Sequence, residues 1–182
     1  VIDSQNKLRK KNAEMNILYS SVKEISSTLD PSKIYEKIFK VVTKLIPCDG
    51  LTISSYDNQN DIIKCNAAWL NLSKLDASKF PELQLDKTGN GIQSKVILSG
   101  KSIIVNNFDE YAKNKSVIFI FKDSSIKKKL KKTDKINRSA LVVPIILNRT
   151  VIGVFQVLSY VKNAYKQEHL QTLEAFSAEL SA

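Results

Sequence analysis

The sequence predicts an α+β domain built around an antiparallel sheet. Helical and extended segments follow one another without the strict alternation that a parallel sheet requires. Apolar runs of strand length are joined by short polar turns, and strands joined in that way pair antiparallel. The chain has 182 residues, of which 43% are hydrophobic and 25% charged, so it is long enough for one globular domain with a well-buried core.

The N-terminal segment 8–29 predicts one helix, because apolar residues recur in it with heptad spacing. The seam consists of Leu8, Met15, Leu18, Val22, Ile25 and Leu29. It either joins two subunits in a coiled coil or packs on its own domain, and the sequence leaves both open. We expect residues 1–15 to form a helical linker at the start of the coiled-coil helix, and residues 16–182 to form the domain.

A second helix and a first hairpin follow this seam. Asp30 is placed to cap the helix, Pro31 suits its first turn, and Pro47 ends it. The apolar runs at 49–57 and 62–70 then predict two strands joined by a tight polar turn. The order so far is therefore helix, helix, hairpin.

The middle of the chain is less regular. Residues 71–89 are a polar connection without strong periodicity. The next segment predicts a short helix that Gly100 ends and a short strand at 102–105. The apolar run 116–121 fits either a strand or one buried turn of helix, and periodicity does not separate the two.

The last hairpin and the last helix are the clearest elements. The stretch 138–160 holds two apolar runs separated by three polar residues, and Pro144 interrupts the first run. A proline removes one hydrogen-bond donor from a strand, so we expect a bulge or local irregularity there. The chain ends in a helix whose apolar face is Leu170, Leu173, Phe176 and Leu180.

Three stretches, taken in order, resemble a known family. They are LSGKSIIVNNFDEY at 98–111, SALVVPIILNRTVIGVFQVLS at 139–159 and AYKQEHLQTLEAFSAELSA at 164–182. Over about residues 16–182 the order of elements is similar to the GAF domain, a PAS-like sensory module of signalling proteins. The resemblance implies a six-stranded antiparallel sheet with the terminal helices on one face. On the other face, helices and loops would enclose a pocket, and the last hairpin would form the middle of the sheet.

The resemblance also implies candidate ligand-binding residues around that pocket. Asp109 occupies the acidic position of the family pattern, and Trp69 is a large apolar group near the expected pocket. The full set of candidates is Trp69, Asp109, Tyr111, Phe119, Phe121, Arg138 and Ser139. The simplest interpretation of the aromatic members is that they pack in the core, and our hypothesis is that they form the walls of the pocket. No cofactor is evident, and we expect an unidentified small molecule as the ligand.

The sequence holds few residues of the types that enzymes use for catalysis. His169 is the only histidine and lies beside the packed stripe of the last helix. A multi-histidine metal site is therefore excluded, and a serine-histidine triad would have a single possible base, far from any plausible pocket. Some GAF-like domains reduce free methionine sulfoxide with pocket cysteines, and others attach a tetrapyrrole through one. Here Cys48 and Cys65 are the only cysteines, and residues 66–182 contain none. We expect two packing thiols, no metal site, and a domain that is not an enzyme.

The positive charge is local. Residues 122–135 contain seven lysines against two aspartates, a net +5 that is half of the chain's +10. Within this segment, 123–135 also fits a short capped helix with Ile126 and Leu130 on its inner face. Nucleic-acid sites interleave aromatic residues with basic ones, and this segment has none. We expect a solvent-facing lid segment beside the pocket rather than a nucleic-acid site.

These observations predict a regulatory sensory module of a larger signalling protein. It would bind a small molecule or a partner and relay the signal through its terminal helices to an output domain in the same chain. We expect a homodimer formed through the N- and C-terminal helices, a cytoplasmic location, and no membrane contact. The first residue is Val rather than Met, so we expect a piece of a longer protein. The alternative is a ligand-free GAF-like dimerisation spacer.

Overall fold

The computed structural model describes residues 2–25, 30–113, 119–120, 125–127 and 136–180. The chain divides into two compact units, Val1–Ile46 and Pro47–Ala182. Among the described residues, none of the helices is both long enough and apolar enough to cross a bilayer.

The first unit holds two helices that contact each other, α1 at Ile2–Ile25 and α2 at Pro31–Leu45. The Asp30 carboxylate caps α2 by accepting the Ser32 N–H at 3.0 Å, as the sequence predicts. Ile38 and Val41, three residues apart on α2, are buried. Of the heptad seam, Leu8 is 60% exposed, and Leu29 lies outside the described residues. A role of this seam in dimerisation remains a prediction.

The second unit is an antiparallel sheet with short helices and loops. Its strands are β1 Gly50–Asp57, β2 Ile62–Leu70, β3 Ser73–Leu75, β4 Leu83–Gln84, β5 Ile103–Val105, β6 Phe119–Ile120, β7 Ile126–Lys127, β8 Ser139–Leu147 and β9 Thr150–Ser159. Its helices are α3 Ile92–Ser99, α4 Phe108–Ala112 and α5 Gln167–Leu180, with one 3-10 turn at Ala77–Lys79. The main sheet has the order β3-β2-β1-β9-β8-β5, and β4 adds a seventh strand by pairing with β2. The predicted α+β class and antiparallel sheet are confirmed.

Two local expectations are corrected. The connection at 71–89 contains β3 and β4, which pair with β2 although they span only three and two residues. The predicted helix around Ile126 and Leu130 is wrong at Ile126–Lys127, because these residues form β7 and pair with β6. Cross-strand pairing with Phe119–Ile120 therefore outweighs the local helical pattern there. Leu130 and most of the lysine-rich segment lie outside the described residues.

The central strands β8 and β9 bury both of their faces. On one face, Val142 and Val154 pack in a cluster with Val96 of α3. On the opposite face, the Phe155 ring lies 6.4 Å from the Phe176 ring of α5, centroid to centroid. Because successive side chains along a strand point to opposite faces, each residue of β9 places its side chain on one face of the sheet or on the other. The sheet therefore separates an α3 side from an α5 side.

Pro144 is accommodated where β8 has a strand neighbour on one side only. The edge strand β5 pairs with Ala140–Val142 and does not reach Pro144. The pairing of β8 with β9 shifts register between Ile145 and Ile146, next to the proline. The Pro144 carbonyl accepts a hydrogen bond of 2.8 Å from the Ser177 hydroxyl of α5. The local irregularity that the sequence predicts is therefore present, one residue after the proline.

Gly153 lies where β9 approaches β1 most closely. It pairs with Ser55, and a methyl group built on its Cα would overlap the carbonyl oxygen of Ser54. Backbone atoms of a central strand cannot move aside without breaking the ladder. The position therefore requires glycine, even though a glycine in a strand weakens the strand intrinsically.

We expect Gly153→Ala to lower the free energy of unfolding by at least about 2 kcal/mol, or to prevent folding, because the added methyl overpacks the backbone. Urea unfolding followed by circular dichroism measures the loss. Gly91→Ala is the matched control, since its added methyl meets the Ser94 hydroxyl at an ordinary 3.6 Å. Equal losses in the two variants would contradict the close-approach argument.

A network around Asp61 ties the loop after β4 to the β1–β2 hairpin. The Asp61 carboxylate accepts the Tyr56 hydroxyl at 2.7 Å and pairs with the Lys87 ammonium at 3.0 Å. The Asp61 carbonyl accepts the Leu85 N–H at 2.7 Å and the Gln84 side-chain amide at 3.1 Å. The Tyr56 hydrogen bond, followed by Lys87, holds the pKa of Asp61 below its ordinary value.

This lowered pKa fixes the sign of a pH dependence. A carboxyl group whose pKa is lower in the folded protein than in the unfolded protein stabilises the fold above the pKa of the unfolded state. That stabilisation is lost as the pH falls through the pKa of the folded state. We expect wild type to be more stable than Asp61→Asn at pH 7, and the difference to shrink below about pH 4. Urea unfolding at a series of pH values measures both.

Glu82→Gln provides the control for this experiment. Glu82 pairs with Lys64 at 3.6 Å, and both side chains are more than half exposed, so its removal should change little at any pH. A constant gap between wild type and Asp61→Asn from pH 7 to pH 3 would contradict the assignment.

Candidate functional site

A cavity of about 390 Å³ lies between the α3 side of the sheet and the elements that cover it. Its floor comes from β1, β2 and β9, and its cover comes from α3, α4, residues 136–137 and the chain between β3 and α3. The position results from the topology, because β1, β2 and β9 are neighbours in the sheet while the covering segments connect its strands. The volume is that of an ordinary small-molecule site.

The wall is mainly apolar and rich in aromatic residues. The aromatic side chains of the wall are Phe80, Phe108, Tyr111 and Tyr160. The Phe108 and Tyr111 rings of α4 lie 5.8 Å apart, centroid to centroid, which keeps one side of the cavity rigid. A wall of this kind favours a ligand with a flat or apolar body.

A few polar groups converge on this apolar space. The Gln93 side-chain N–H₂ group on α3 donates to the side-chain amide oxygen of Gln156 on β9 at 3.1 Å. Among the residues that the structure describes, Thr52 Oγ1, Gln93 Oε1 and Asn137 Oδ1 are shielded from solvent and have no hydrogen-bond partner. A buried polar atom without a partner costs about 1–3 kcal/mol, so these atoms favour an occupant that pairs with them.

Asp86 is the only acidic or basic side chain among the described residues of the wall. Hydrogen bonds from the Thr88 hydroxyl and the Thr88 N–H, the latter at 2.9 Å, lower the pKa of this carboxyl. Its own N–H donates to the Ser94 hydroxyl of α3 at 3.0 Å. Asp86 is therefore a fixed negative charge at the rim of the cavity near neutral pH.

The structure places the predicted ligand-binding residues in different surroundings. Tyr111 lines the cavity, and Trp69 borders it from β2. Trp69 pairs with Leu51, which pairs with Val157, so the Trp69 ring lies on the face of the sheet opposite to Gln156 and Leu158.

Asp109 does not line the cavity, and its carboxylate pairs with Arg138 at 3.2 Å and with Lys162 at 3.0 Å. This cluster ties the start of α4 to the start of β8 and to the chain after β9.

Ser139 is buried in a backbone junction outside the cavity wall. Its hydroxyl donates to the Val161 carbonyl at 2.7 Å, and the Ala164 N–H approaches it at 3.3 Å. Phe119 belongs to β6, but its side chain and the whole of Phe121 lie outside the described residues. A ligand-binding role of the seven candidates remains a prediction.

Sequence reasoning missed the polar atoms of the wall. Thr52, Gln93, Asn137 and Gln156 come from four separate segments, so no local motif joins them. One signal was available, because Gln156 is a polar residue inside the apolar strand β9, which the resemblance placed at the centre of the sheet. An amide at such a position needs a partner or a cavity beside it.

The two cysteines lie in different surroundings. No cysteine follows residue 65, so we expected no thiol from the helices and loops over the pocket, but Cys65 lies on the floor strand β2 and lines the cavity. Burial raises the pKa of Cys65 to about 11 and that of Cys48 to about 12, so both thiols are protonated near neutral pH. Cys48 donates to the Gly50 carbonyl at 3.3 Å and is not part of the described wall.

His169 has a structural environment on α5. Its Nδ1 accepts the Lys166 N–H at 3.1 Å, which pairs one backbone group at the start of the helix. Its ring stands edge-on to the Tyr165 ring with centroids 6.3 Å apart. Neither contact points into the cavity.

A family model described as GAF domain matches residues 28–182. No curated protein gave a significant match. Among solved structures, the GAF domain of an Acinetobacter phosphoenolpyruvate-protein phosphotransferase is similar, with a TM-score of 0.72 and 19% identity. That comparison covers 93% of this chain and 91% of the other.

Two further solved structures extend the comparison. The free methionine-R-sulfoxide reductase from Neisseria meningitidis, solved in complex with its substrate, has a TM-score of 0.69 at 14% identity and covers 94% of this chain and 88% of the other. Residues 122 to 287 of a methyl-accepting chemotaxis protein have a TM-score of 0.63 at 15% identity and cover 88% of this chain and 92% of the other. At such identities the likeness establishes the fold alone.

The expectation of a non-enzymatic domain is overturned by these comparisons. Several similar structures, including one from Staphylococcus aureus, are free methionine-R-sulfoxide reductases, which are enzymes on the same fold. The fold therefore does not exclude catalysis, and Cys65 brings one thiol into the cavity wall.

The identity of the domain follows from the family match and the architecture together. The match covers most of the chain, and the fold of the antiparallel sheet and its helices is similar to that of a solved GAF domain. The chain belongs to the GAF domain family.

Proposed function

We propose that this domain is a regulatory module that binds a small molecule in the cavity and passes the resulting shift to α5. The observation that carries the proposal is the cavity of about 390 Å³, with its aromatic wall and its unpaired, shielded polar atoms. A cavity of this size and composition is the usual form of a small-molecule site. The similar domains of a phosphotransferase and a chemotaxis protein support a signalling context.

Strand β9 offers a physical route from the cavity to α5. Gln156 and Leu158 line the cavity, whereas Phe155 packs against Phe176 on the opposite face. A ligand that prefers one position of Gln156 therefore biases the position of the strand that also carries Phe155. Such a ligand shifts a population between two arrangements by its difference in affinity for them. We propose that α5 transmits this shift to an output domain of a longer protein.

Self-association is part of the same proposal. The heptad seam of α1 is typical of a coiled coil, and its member Leu8 is 60% exposed in the chain by itself. Two described free cysteines fit a reducing compartment, which supports a cytoplasmic location. A ligand-free dimerisation spacer is the alternative. It is disfavoured by the cavity, because a purely structural domain has no need for unpaired polar atoms in its interior.

We expect native mass spectrometry of the wild-type chain, after incubation with the small-molecule fraction of a cell lysate, to show a bound small molecule. Leu158→Trp should abolish binding, because Leu158 lies on the cavity floor and the larger ring occupies the space. Ile152→Trp is the control, since Ile152 lies on the same strand, is 39% exposed and is not in the described wall. A wild-type mass equal to the polypeptide alone would refute the proposal.

We expect Leu18→Glu with Val22→Glu to convert a dimer into a monomer, because charges in a coiled-coil seam oppose association. Analytical ultracentrifugation over a range of concentrations measures the mass. Asn16→Glu, at an exposed position of α1, should leave the dimer intact. A monomeric wild type at high concentration would show that the seam does not join subunits.

A further inference from the structure

We propose that the ligand of the cavity is an uncharged molecule with a flat apolar body and N–H donors, such as an aryl amide, rather than an anion. This inference rests on the proposed function and specifies the chemistry of the same site. It is carried by the polar atoms of the wall, by its charge, and by the aromatic groups around them.

The unpaired atoms of the wall call for hydrogen-bond donors. Gln93 Oε1 and Asn137 Oδ1 are carbonyl oxygens, and carbonyl oxygens only accept. They come from α3 and from the segment before β8, and Thr52 Oγ1 joins them from β1 on the floor. A ligand with N–H groups pairs with these atoms, whereas a carboxylate or phosphate, which only accepts, leaves both carbonyl oxygens unpaired.

The charge of the wall disfavours an anion. Asp86 is ionised near neutral pH, and the described part of the wall holds no lysine, arginine or histidine to balance it. Among the described residues of the wall, the one formal charge that an anionic ligand would meet is therefore negative. Burying an anion without a partner is strongly unfavourable.

The start of α3 does not offer an alternative anion site. Helix N-termini attract anions through their free N–H groups. Here the Asp86 carboxylate, which accepts the Thr88 N–H at 2.9 Å, lies in the segment that leads into α3, and the Asp86 N–H donates to the Ser94 hydroxyl in the first turn of α3 at 3.0 Å. An anionic ligand at the start of α3 would therefore meet a carboxylate of the protein nearby.

The aromatic side chains indicate the shape of the ligand. The Phe80 ring and, on α4, the Phe108 and Tyr111 rings line the same cavity. Flat rings favour a flat partner, which buries its faces while its edge reaches the amide oxygens. A volume of about 390 Å³ has room for a bicyclic ring with a short side chain.

A pair of isosteric probes tests this inference on the full chain. Indole-3-acetamide and indole-3-acetate have the same shape but differ in charge and in the presence of N–H₂. Nuclear magnetic resonance titration follows the side-chain amide signals of Gln93 and Asn137. We expect the amide to shift these signals and to bind at least tenfold more tightly than the carboxylate, which is about 1.4 kcal/mol.

Three variants separate recognition from packing. Thr52→Val removes one unpaired hydroxyl at nearly constant volume, so it should weaken amide binding several-fold without lowering the melting temperature. Gln93→Met removes the carbonyl oxygen of α3 and should weaken amide binding further. Gln59→Met, at an exposed turn position outside the described wall, is the control and should bind as wild type does.

The outcomes distinguish the ligand class from the function of the cavity. If the carboxylate shifts the same signals at equal or lower concentration, the proposed class is wrong while the cavity remains a binding site. If neither probe shifts them at 10 mM, a concentration on the order of the weakest useful affinities, the proposed class is also wrong. In both cases the native mass measurement decides independently whether the cavity binds a small molecule at all.

Discussion

The structure of the second unit depends on the burial of both faces of β8 and β9. Val142, Val143, Val154 and Val157 are fully buried, so no side chain at these positions can turn to solvent. Because successive residues alternate between faces, each position is committed either to the cavity side or to the α5 side. A shift of one residue in register would exchange the two sets completely. The close approach at Gly153 and the irregularity after Pro144 are both consequences of fitting two layers to the same pair of strands.

This constraint explains how the cavity coexists with a stable core. The sheet supplies a rigid floor, and the covering elements are held at their edges by separate devices. The Asp61 network fixes the loop after β4, and the Asp109 cluster fixes the start of α4. Shielded atoms such as Thr52 Oγ1 then lie in a preformed space, where each costs about 1–3 kcal/mol until it finds a partner. The floor strand that carries Gln156 also carries Phe155, which packs against Phe176 of α5 on the opposite face of the sheet.

Local chemistry made part of this fold predictable from sequence. The cap at Asp30, the left-handed Gly100 at the end of α3 and the polar turn between β8 and β9 are each specified by neighbouring residues. The strands β3, β4 and β7 were missed because two or three residues are too few to show a period, and pairing alone defines them. The cavity wall was mostly missed for the same reason, since its polar atoms come from segments that only the tertiary fold brings together. Cys65 shows this most clearly: its strand was predicted correctly, but which face of that strand borders the cavity was not.

We propose that the β8–β9 pair connects the cavity to α5. Hydrogen exchange of the α5 backbone, measured on the chain with and without a small molecule bound in the cavity, tests this connection. We expect slower exchange across the inner half of α5, around Leu173 and Phe176, when the cavity is occupied. Exchange across β9 should slow in the same way, and Leu158→Trp, which blocks the cavity, should abolish both changes. Protection confined to the elements that cover the cavity, with α5 unchanged, would show that the strands do not carry the shift.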